Sequence, residues 1–206
     1  MKAIFVPTVK EAESIFPGIE LTLWKYGVFK AEYNDIMIFV TGATKTCAAF
    51  SATSVLGAFS VEEAILTGIC GAYRQSGLKV GDVVSVHKDF FADEAVFYSN
   101  KITTLNEMGF GFSDDSCSEF ISYGNLPIVN SNTVSFLDGE GAVSALLYSK
   151  YGASVENMEG AAFGFVCNML KVKAYQVRAV SNFCGKRDGQ EWDVRLALGN
   201  LKRLFE

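Results

Sequence analysis

Residues 64–71, Ala64-Ile65-Leu66-Thr67-Gly68-Ile69-Cys70-Gly71, pass from a wholly apolar triplet into a segment punctuated by two glycines. A short apolar run bounded by a turn signal fits a buried strand. Glycines after such a strand let the backbone approach a ligand closely and adopt positive φ. A plain β-turn is the competing reading. A phosphate loop is excluded, because its Lys-Ser/Thr pair and glycine spacing are missing. Outward from this stretch, strand-like and helix-like segments alternate. Toward the N-terminus, residues 3–6 and the meander 21–24, 28–33 and 36–40 are expected strands, with turns at Tyr26-Gly27 and Asn34-Asp35. Residues 10–16 make a turn or two of helix ended by Pro17-Gly18, and the alanine-rich residues 46–59 a longer helix. Toward the C-terminus, residues 82–87, 126–130 and 174–180 are expected strands. Residues 140–150, 159–170 and 191–205 are expected helices, with apolar residues three and four apart. Residues 100–124 lack a clear period, and 109–115 read as a loop. No linker or repeat interrupts the chain. The expected fold class is α/β: one domain over residues 1–206, a three-layer sandwich with a mixed, largely parallel twisted central sheet.

The chain has 206 residues, half of them hydrophobic, and a formal net charge of −5. A chain of this length buries roughly 70% of its unfolded surface, so an ordinary core is expected. No basic tract offsets the negative charge, which argues against a nucleic-acid partner. The apolar start, residues 3–6 before Pro7, is too short for a signal peptide or a membrane span, so no membrane partner is expected. Five widely spaced cysteines, no CxxC pair and a single histidine, His87, argue against a metal site and for a reducing cytoplasm. The cysteines read as small buried hydrophobes, and His87 as a strand residue without a catalytic role.

Ligands of open α/β sheets bind at the carboxyl ends of strands. Three unusual segments stand there: TGICG after Leu66, SNTVS after Asn130 and SNFCG after Val180. Further residues with chemical capacity cluster in sequence. In Val155-Glu156-Asn157-Met158-Glu159-Gly160, two carboxylates precede an apolar helix. Glu156 suits the positive end of the helix dipole. Glu159 opens so apolar a run that it must be solvated, capped or used. Arg178 and Ser181-Asn182 end a strand; an Asn side chain offers both acceptor and donor, a pair able to read one edge of a heterocycle, although a turn-forming Asn is the plainer account. Glu11 and Glu13 follow the first strand, where a carboxylate is either a first-turn charge or a general base.

Together these segments resemble the nucleoside phosphorylase/nucleosidase family. TGICGAYRQSGLKVGDVVSV (67–86) is similar to that family's glycine loop and following strand. VENMEGAAFGFVC (155–167) is similar to its Met-Glu ribose motif, and VRAVSN (177–182) to its base motif. Within the family, VENMEGAAF, QVRAVSN and KRDGQEWDVRLALGNL look like the branch that hydrolyses futalosine on an alternative menaquinone route. The resemblance implies that Glu159 binds the ribose hydroxyls and Met158 packs on the sugar. It implies that Asn182 faces N7 of a purine, with Ser181 and Arg178 supporting it. Cys70 and Gly71 would border base and sugar, and Phe136 would line the base pocket. Glu11 would activate water, with Glu13 the fallback. Methylthioadenosine/adenosylhomocysteine nucleosidases are similar but usually carry Asp where this chain has Asn182.

An amide at position 182 gives N–H to a 6-oxo oxygen but meets the 6-amino group of adenine as donor against donor. That mismatch costs on the order of 1–3 kcal/mol in a buried pocket. A 6-oxopurine nucleoside is therefore the expected small-molecule partner, cleaved to hypoxanthine. Phosphorolysis is disfavoured by Ile69 in the glycine loop and by Glu11, with Lys45 the one cation that argues otherwise. Lys186 and Arg187 are candidates for an aryl carboxylate on the substrate, and Phe90 and Phe91 for covering its ring. A solvated loop and core packing explain these pairs equally well. A methylthioadenosine-type or aminodeoxyfutalosine-type nucleosidase and a purine nucleoside phosphorylase are alternatives within the family; a non-catalytic nucleoside-binding protein is the alternative outside it. No metal or organic cofactor is implied, and family resemblance implies a homodimer.

Overall fold

A computed structural model describes residues 1–110 and 116–206. The first strand, β1 (Lys2–Val6), alternates strictly. Ala3 and Phe5 enter one core and Ile4 and Val6 the other. The same period recurs in β4 (Ile36–Val40) and β5 (Glu63–Ala72), where Phe39, Ala64 and Leu66 face the first core and Ile38, Val40 and Ile65 the second. Strands apolar on both faces need cover on both. Helices α2 (Lys45–Ala58) and α4 (Gly160–Met169) pack together over the first face, contributing Ala48, Ala52, Val55, Phe163 and Cys167. Helices α1 (Val9–Ile15) and α5 (Val194–Phe205) cover the second with Ala12, Ile15, Ala197, Leu198 and Leu201. No helix among the described residues is long and apolar enough to cross a membrane.

The remaining strands are β2 (Thr22–Lys25), β3 (Val28–Tyr33), β6 (Val83–Phe91), β7 (Ala95–Tyr98), β8 (Lys101–Thr104), β9 (Cys117–Glu119), β10 (Ile128–Thr133), β11 (Val155–Asn157) and β12 (Lys173–Phe183). The helix α3 (Ala142–Tyr151) lies between β10 and β11. The central sheet runs β11-β10-β6-β12-β5-β1-β4-β3-β2, with β9 on β6. It is mixed: β4, β1, β5 and β12 are parallel neighbours, while β2–β3, β3–β4 and β6–β12 are antiparallel. Short β11 pairs with β10 on one side and with the end of β5 on the other, so β5, β12, β6, β10 and β11 close into a ring.

Three segments expected as loops are strand. The glycine segment 67–71 continues β5 to Ala72, 131–133 ends β10, and 181–183 ends β12. Ring closure supplies ladder partners to each, which the local composition does not announce. Only a bulge between Val180 and Asn182 breaks the β5–β12 register. The irregular stretch 100–124 opens on β8, the second strand of the antiparallel hairpin β7–β8, which turns at Ser99 and Asn100, both at positive φ. Of the loop expected at 109–115, residues 111–115 lie outside the described residues.

Candidate active site

The turn from β1 into α1 carries the first carboxylate. Thr8 caps α1, its hydroxyl oxygen accepting from Glu11 N at 3.2 Å and donating to Glu11 Oε2 at 2.6 Å. Glu11 Oε1 accepts from the backbone N–H of Ile69 at 3.1 Å. Gly68 makes this possible, since a Cβ there would stand 2.9 Å from Glu11 Oε1 and 3.1 Å from Arg178 Nη1. Burial pushes the Glu11 carboxyl above its ordinary range; Thr8, the Ile69 N–H and Arg178 draw it back down, and Glu159 adds to the rise. A carboxylate raised in this way is a stronger base than a solvated one, which suits it to take a proton from water.

Glu159 stands at the N-terminus of α4, almost fully buried. Its Oε2 accepts from Arg178 Nη2 at 3.0 Å, and the same nitrogen donates to Asn157 Oδ1 at 3.0 Å. Asn157 is the hub. Its Oδ1 also accepts from Glu159 N and Gly160 N, and its Nδ2 donates to Asp89 Oδ2 and Ser131 Oγ. Asp89, fully buried, further accepts from Thr133 and Gln176. Burial raises the Asp89 carboxyl, while these donors and Arg178 oppose the rise. Gly160 is required at the helix start, where a Cβ would lie 2.0 Å from Asp89 Oδ2.

The bulge in β12 aims the third group. Asn182 Oδ1 lies 2.8 Å from Ser181 Oγ, and its Nδ2 donates to Phe183 O at 3.2 Å. One hydrogen on Nδ2 and one acceptor direction on Oδ1 remain for a ligand. Glu11, Glu159 and Asn182 line a single cavity of about 900 Å³, together with Ile69, Met158 and Glu156. Two carboxylates and an amide around one cavity can activate a water, hold sugar hydroxyls and receive a heterocycle.

The family model described as the phosphorylase superfamily matches residues 129–204. The futalosine hydrolase of Thermus thermophilus is 31% identical over 179 residues, covering 79% of this chain and 76% of that protein. The chain belongs to the phosphorylase superfamily. A 5′-methylthioadenosine/S-adenosylhomocysteine nucleosidase of Bacillus cereus is 25% identical over 170 residues, 78% of this chain and 73% of the relative. A solved mutant of the Helicobacter pylori methylthioadenosine nucleosidase, with 5′-methylthioadenosine in its active site, superposes with a TM-score of 0.82 at 17% identity, over 98% of this chain and 95% of that one. The native futalosine hydrolase of the same organism superposes with a TM-score of 0.79 at 17% identity, over 98% and 94%. The superfamily fold expected from sequence, a central mixed sheet between helices, is thus the one observed.

Within this superfamily chain, the structure brings Glu11, Cys70, Gly71, Met158, Glu159, Ser181 and Asn182 to one cavity. Glu13, the fallback for Glu11, is exposed. Arg178 sits elsewhere than expected. It contacts Glu159 and Asn157 rather than Asn182. Register explains this: Arg178 pairs with Gly68 and Asn182 with Gly71, an odd number of residues apart on β5, so the two side chains leave opposite faces. Phe136 is 48% exposed and stays outside the lining, where Leu137 and Asp138 stand instead. Arg187 reaches the cavity with its guanidinium over Trp192, and Lys186 does not line it. Lys45 is held by Asp93 at 2.6 Å and Glu94 at 3.1 Å. Phe90 packs on Tyr151 and Phe91 on Phe165, as core packing requires. Asp89, Asn157, Thr133, Gln176 and Tyr73 carry no role in the sequence reading, although Thr133 and Asn157 lie within SNTVS and VENMEG. Only Asn157, between two glutamates, gave a local signal.

Proposed function

We propose that this chain is an N-ribosyl hydrolase that cleaves futalosine to hypoxanthine and the dehypoxanthine product, a step of menaquinone biosynthesis. The observation that carries it is the convergence of Glu11, Glu159 and Asn182 on one cavity. Cleavage of an N-glycosidic bond passes through an oxocarbenium-like sugar, as glycoside hydrolysis does. Glu159, fixed by Arg178, accepts from the ribose hydroxyls and places a negative charge beside the cationic sugar. Glu11 takes a proton from water as its oxygen bonds to the anomeric carbon and the bond to the base breaks. As the bond to N9 breaks, N7 of the departing base takes a proton from solvent. Asn182 gives its free N–H to the 6-oxo oxygen and accepts from the N7–H so formed, and Glu11 afterwards returns the water's proton to solvent. The 31% identity to the Thermus futalosine hydrolase supports the same reading.

Water rather than phosphate is the nucleophile in this proposal. The backbone N–H of Ile69 is already bonded to Glu11, whose carboxylate repels an anion, and Lys45 is committed to Asp93 and Glu94. A methylthioadenosine-type activity is the second reading, favoured by the Bacillus relatives at 25% identity and opposed by the amide of Asn182. Futalosine incubated with and without phosphate discriminates. Hypoxanthine released equally in both supports the hydrolase. Release only with phosphate overturns it. No release, with adenine freed from methylthioadenosine, moves the assignment to the second reading.

We further propose that residues 1–206 act as one domain, that the chain forms a homodimer and that it works in the cytoplasm. Neighbouring strands β1, β5 and β12 come from both ends of the chain, which supports the first. The exposed apolar side chains of Phe136 and Leu137 beside the cavity support the second, and five widely spaced cysteines with no CxxC pair the third. Light scattering at micromolar concentration tests the dimer; a mass of one chain refutes it.

A further inference from the structure

Strand register sets three residues in a row across the cavity. Gly71 of β5 pairs with Glu156 of β11 on one side and with Asn182 of β12 on the other. Side chains of paired residues leave a sheet on the same face, and two strand spacings separate the outer pair by roughly 9.6 Å at Cα. No side chain rises from Gly71 between them, where a Cβ would meet Cys184 Sγ at 2.8 Å. The result is a slot with Gly71 and the Cys184 thiol as its floor, an amide as one wall and a carboxyl as the other. All four residues line the cavity. The hydrolytic roles above account for Asn182 and leave Glu156 unused.

Glu156 is 7% exposed, and its surroundings hold it as an acceptor. Tyr73 donates its hydroxyl proton to Glu156 Oε2 at 2.8 Å and accepts from Asn132 Nδ2 at 2.9 Å. The relay commits the one phenolic proton to the carboxylate. Among the described residues, Oε1 has no hydrogen-bond partner. Burial lifts the Glu156 carboxyl to about 7, against the pull of the Tyr73 hydroxyl and with the help of Asp138 and Asp93. Cys184 faces it from the end of β12, and Arg187 lines the same cavity.

We propose that Glu156 determines base specificity, its free carboxylate oxygen accepting the N1–H of a 6-oxopurine while Asn182 holds O6 and N7 across Gly71. This rests on the reading of Asn182 as the base contact. A 6-aminopurine presents a lone pair at N1, which a carboxylate opposes. An unmatched buried polar group is the strongest source of discrimination between otherwise similar ligands.

Calorimetric binding of free hypoxanthine and free adenine, from pH 6 to pH 8, tests the assignment without requiring turnover. Wild type is expected to prefer hypoxanthine at pH 8 and to lose about tenfold in its affinity by pH 6, as the carboxylate is protonated. In Glu156→Gln the amide oxygen takes the Tyr73 proton and the NH₂ faces the base. Hypoxanthine affinity at pH 8 should fall about tenfold or more, the pH dependence should vanish, and the preference for hypoxanthine over adenine should shrink or invert. Tyr73→Phe removes a contact that holds the carboxyl down, so the midpoint of the wild-type profile should move upward. A folded Glu156→Gln protein with the wild-type affinity and profile overturns the proposal, as does a wild type that binds both bases alike at pH 8. A wild type that binds hypoxanthine as expected yet leaves futalosine intact refutes the proposed hydrolysis and not the role of Glu156.

Discussion

Arg178 Nη2 lies 3.0 Å from Glu159 Oε2, in an ion pair whose cation is fully buried and whose anion is nearly so. The pair ties a residue of β12 to the N-cap of α4, and Asn157 Oδ1 shares the same nitrogen. Removing one partner from such a pair strands the other charge. Arg178→Met is therefore expected to lower stability by about 3–5 kcal/mol in urea unfolding. Arg178→Lys keeps the charge without the planar fork. Its unfolding midpoint should fall less than that of Arg178→Met, and its KM for nucleoside should rise, because Glu159 loses its fixed orientation.

Glu11→Gln keeps the acceptor toward Ile69 N but cannot take a proton. Its kcat should drop by about 10²–10⁴, with substrate affinity changed far less. Glu13→Gln, on the exposed side of α1, should leave kcat within about twofold, since exposed substitutions rarely propagate. Steady-state kinetics of both variants checks the assignment; loss in Glu13→Gln alone would reverse it.

The pH profile follows from burial of Glu11. Activity needs the carboxylate, so it is present above the folded-state pKa of this group and lost as pH falls through it. Burial raises that pKa above the ordinary 4.5, placing the acid limb of kcat/KM higher than a solvated glutamate would. Glu11→Asp should keep this limb, and Glu11→Gln should lose it, retaining only the fall in kcat/KM that protonation of Glu156 brings.

Asn182→Asp replaces an amide that only shares hydrogen bonds with a group that carries a titrating proton. When protonated, it can pass that proton to N7 of adenine. The ratio of kcat/KM for adenine nucleosides over 6-oxopurine nucleosides should rise about tenfold, corresponding to a donor–donor conflict of about 1–3 kcal/mol relieved. An unchanged ratio would place Asn182 away from the base edge.

Gly160→Ala drives a methyl to within 2.0 Å of Asp89 Oδ2 and 2.4 Å of Gln176 Nε2. Asp89 cannot yield without breaking its bonds to Asn157 and Thr133, nor Gln176 without breaking its bond to Asp89. The helix-favouring gain of alanine is smaller than this overpacking, so the variant should be destabilised by about 1–3 kcal/mol or more. Thermal unfolding beside Gly164→Ala, which meets Phe120 and Ser118 instead, separates the polar network from general crowding.

The sequence by itself determined the layered α/β plan and most of the cavity. Alternation of Ala3, Ile4, Phe5 and Val6, apolar on both faces, demands helices on both sides of a sheet. The two glycines of 67–71, Glu159 at an apolar helix start and Asn182 at a strand end are each local anomalies that composition exposes. The tertiary structure alone decided how they meet. Short β11 closes the ring only because β5 runs on to Ala72, a pairing in which Val155 meets Ala72 and Glu156 meets Gly71 from far along the chain. One bulged residue before Asn182 sends Arg178 to Glu159 and turns the amide to the other face. Asp89 and Gln176 look unremarkable along the chain, because a hydrogen-bond network is defined by distances between strands and leaves no period within any one of them.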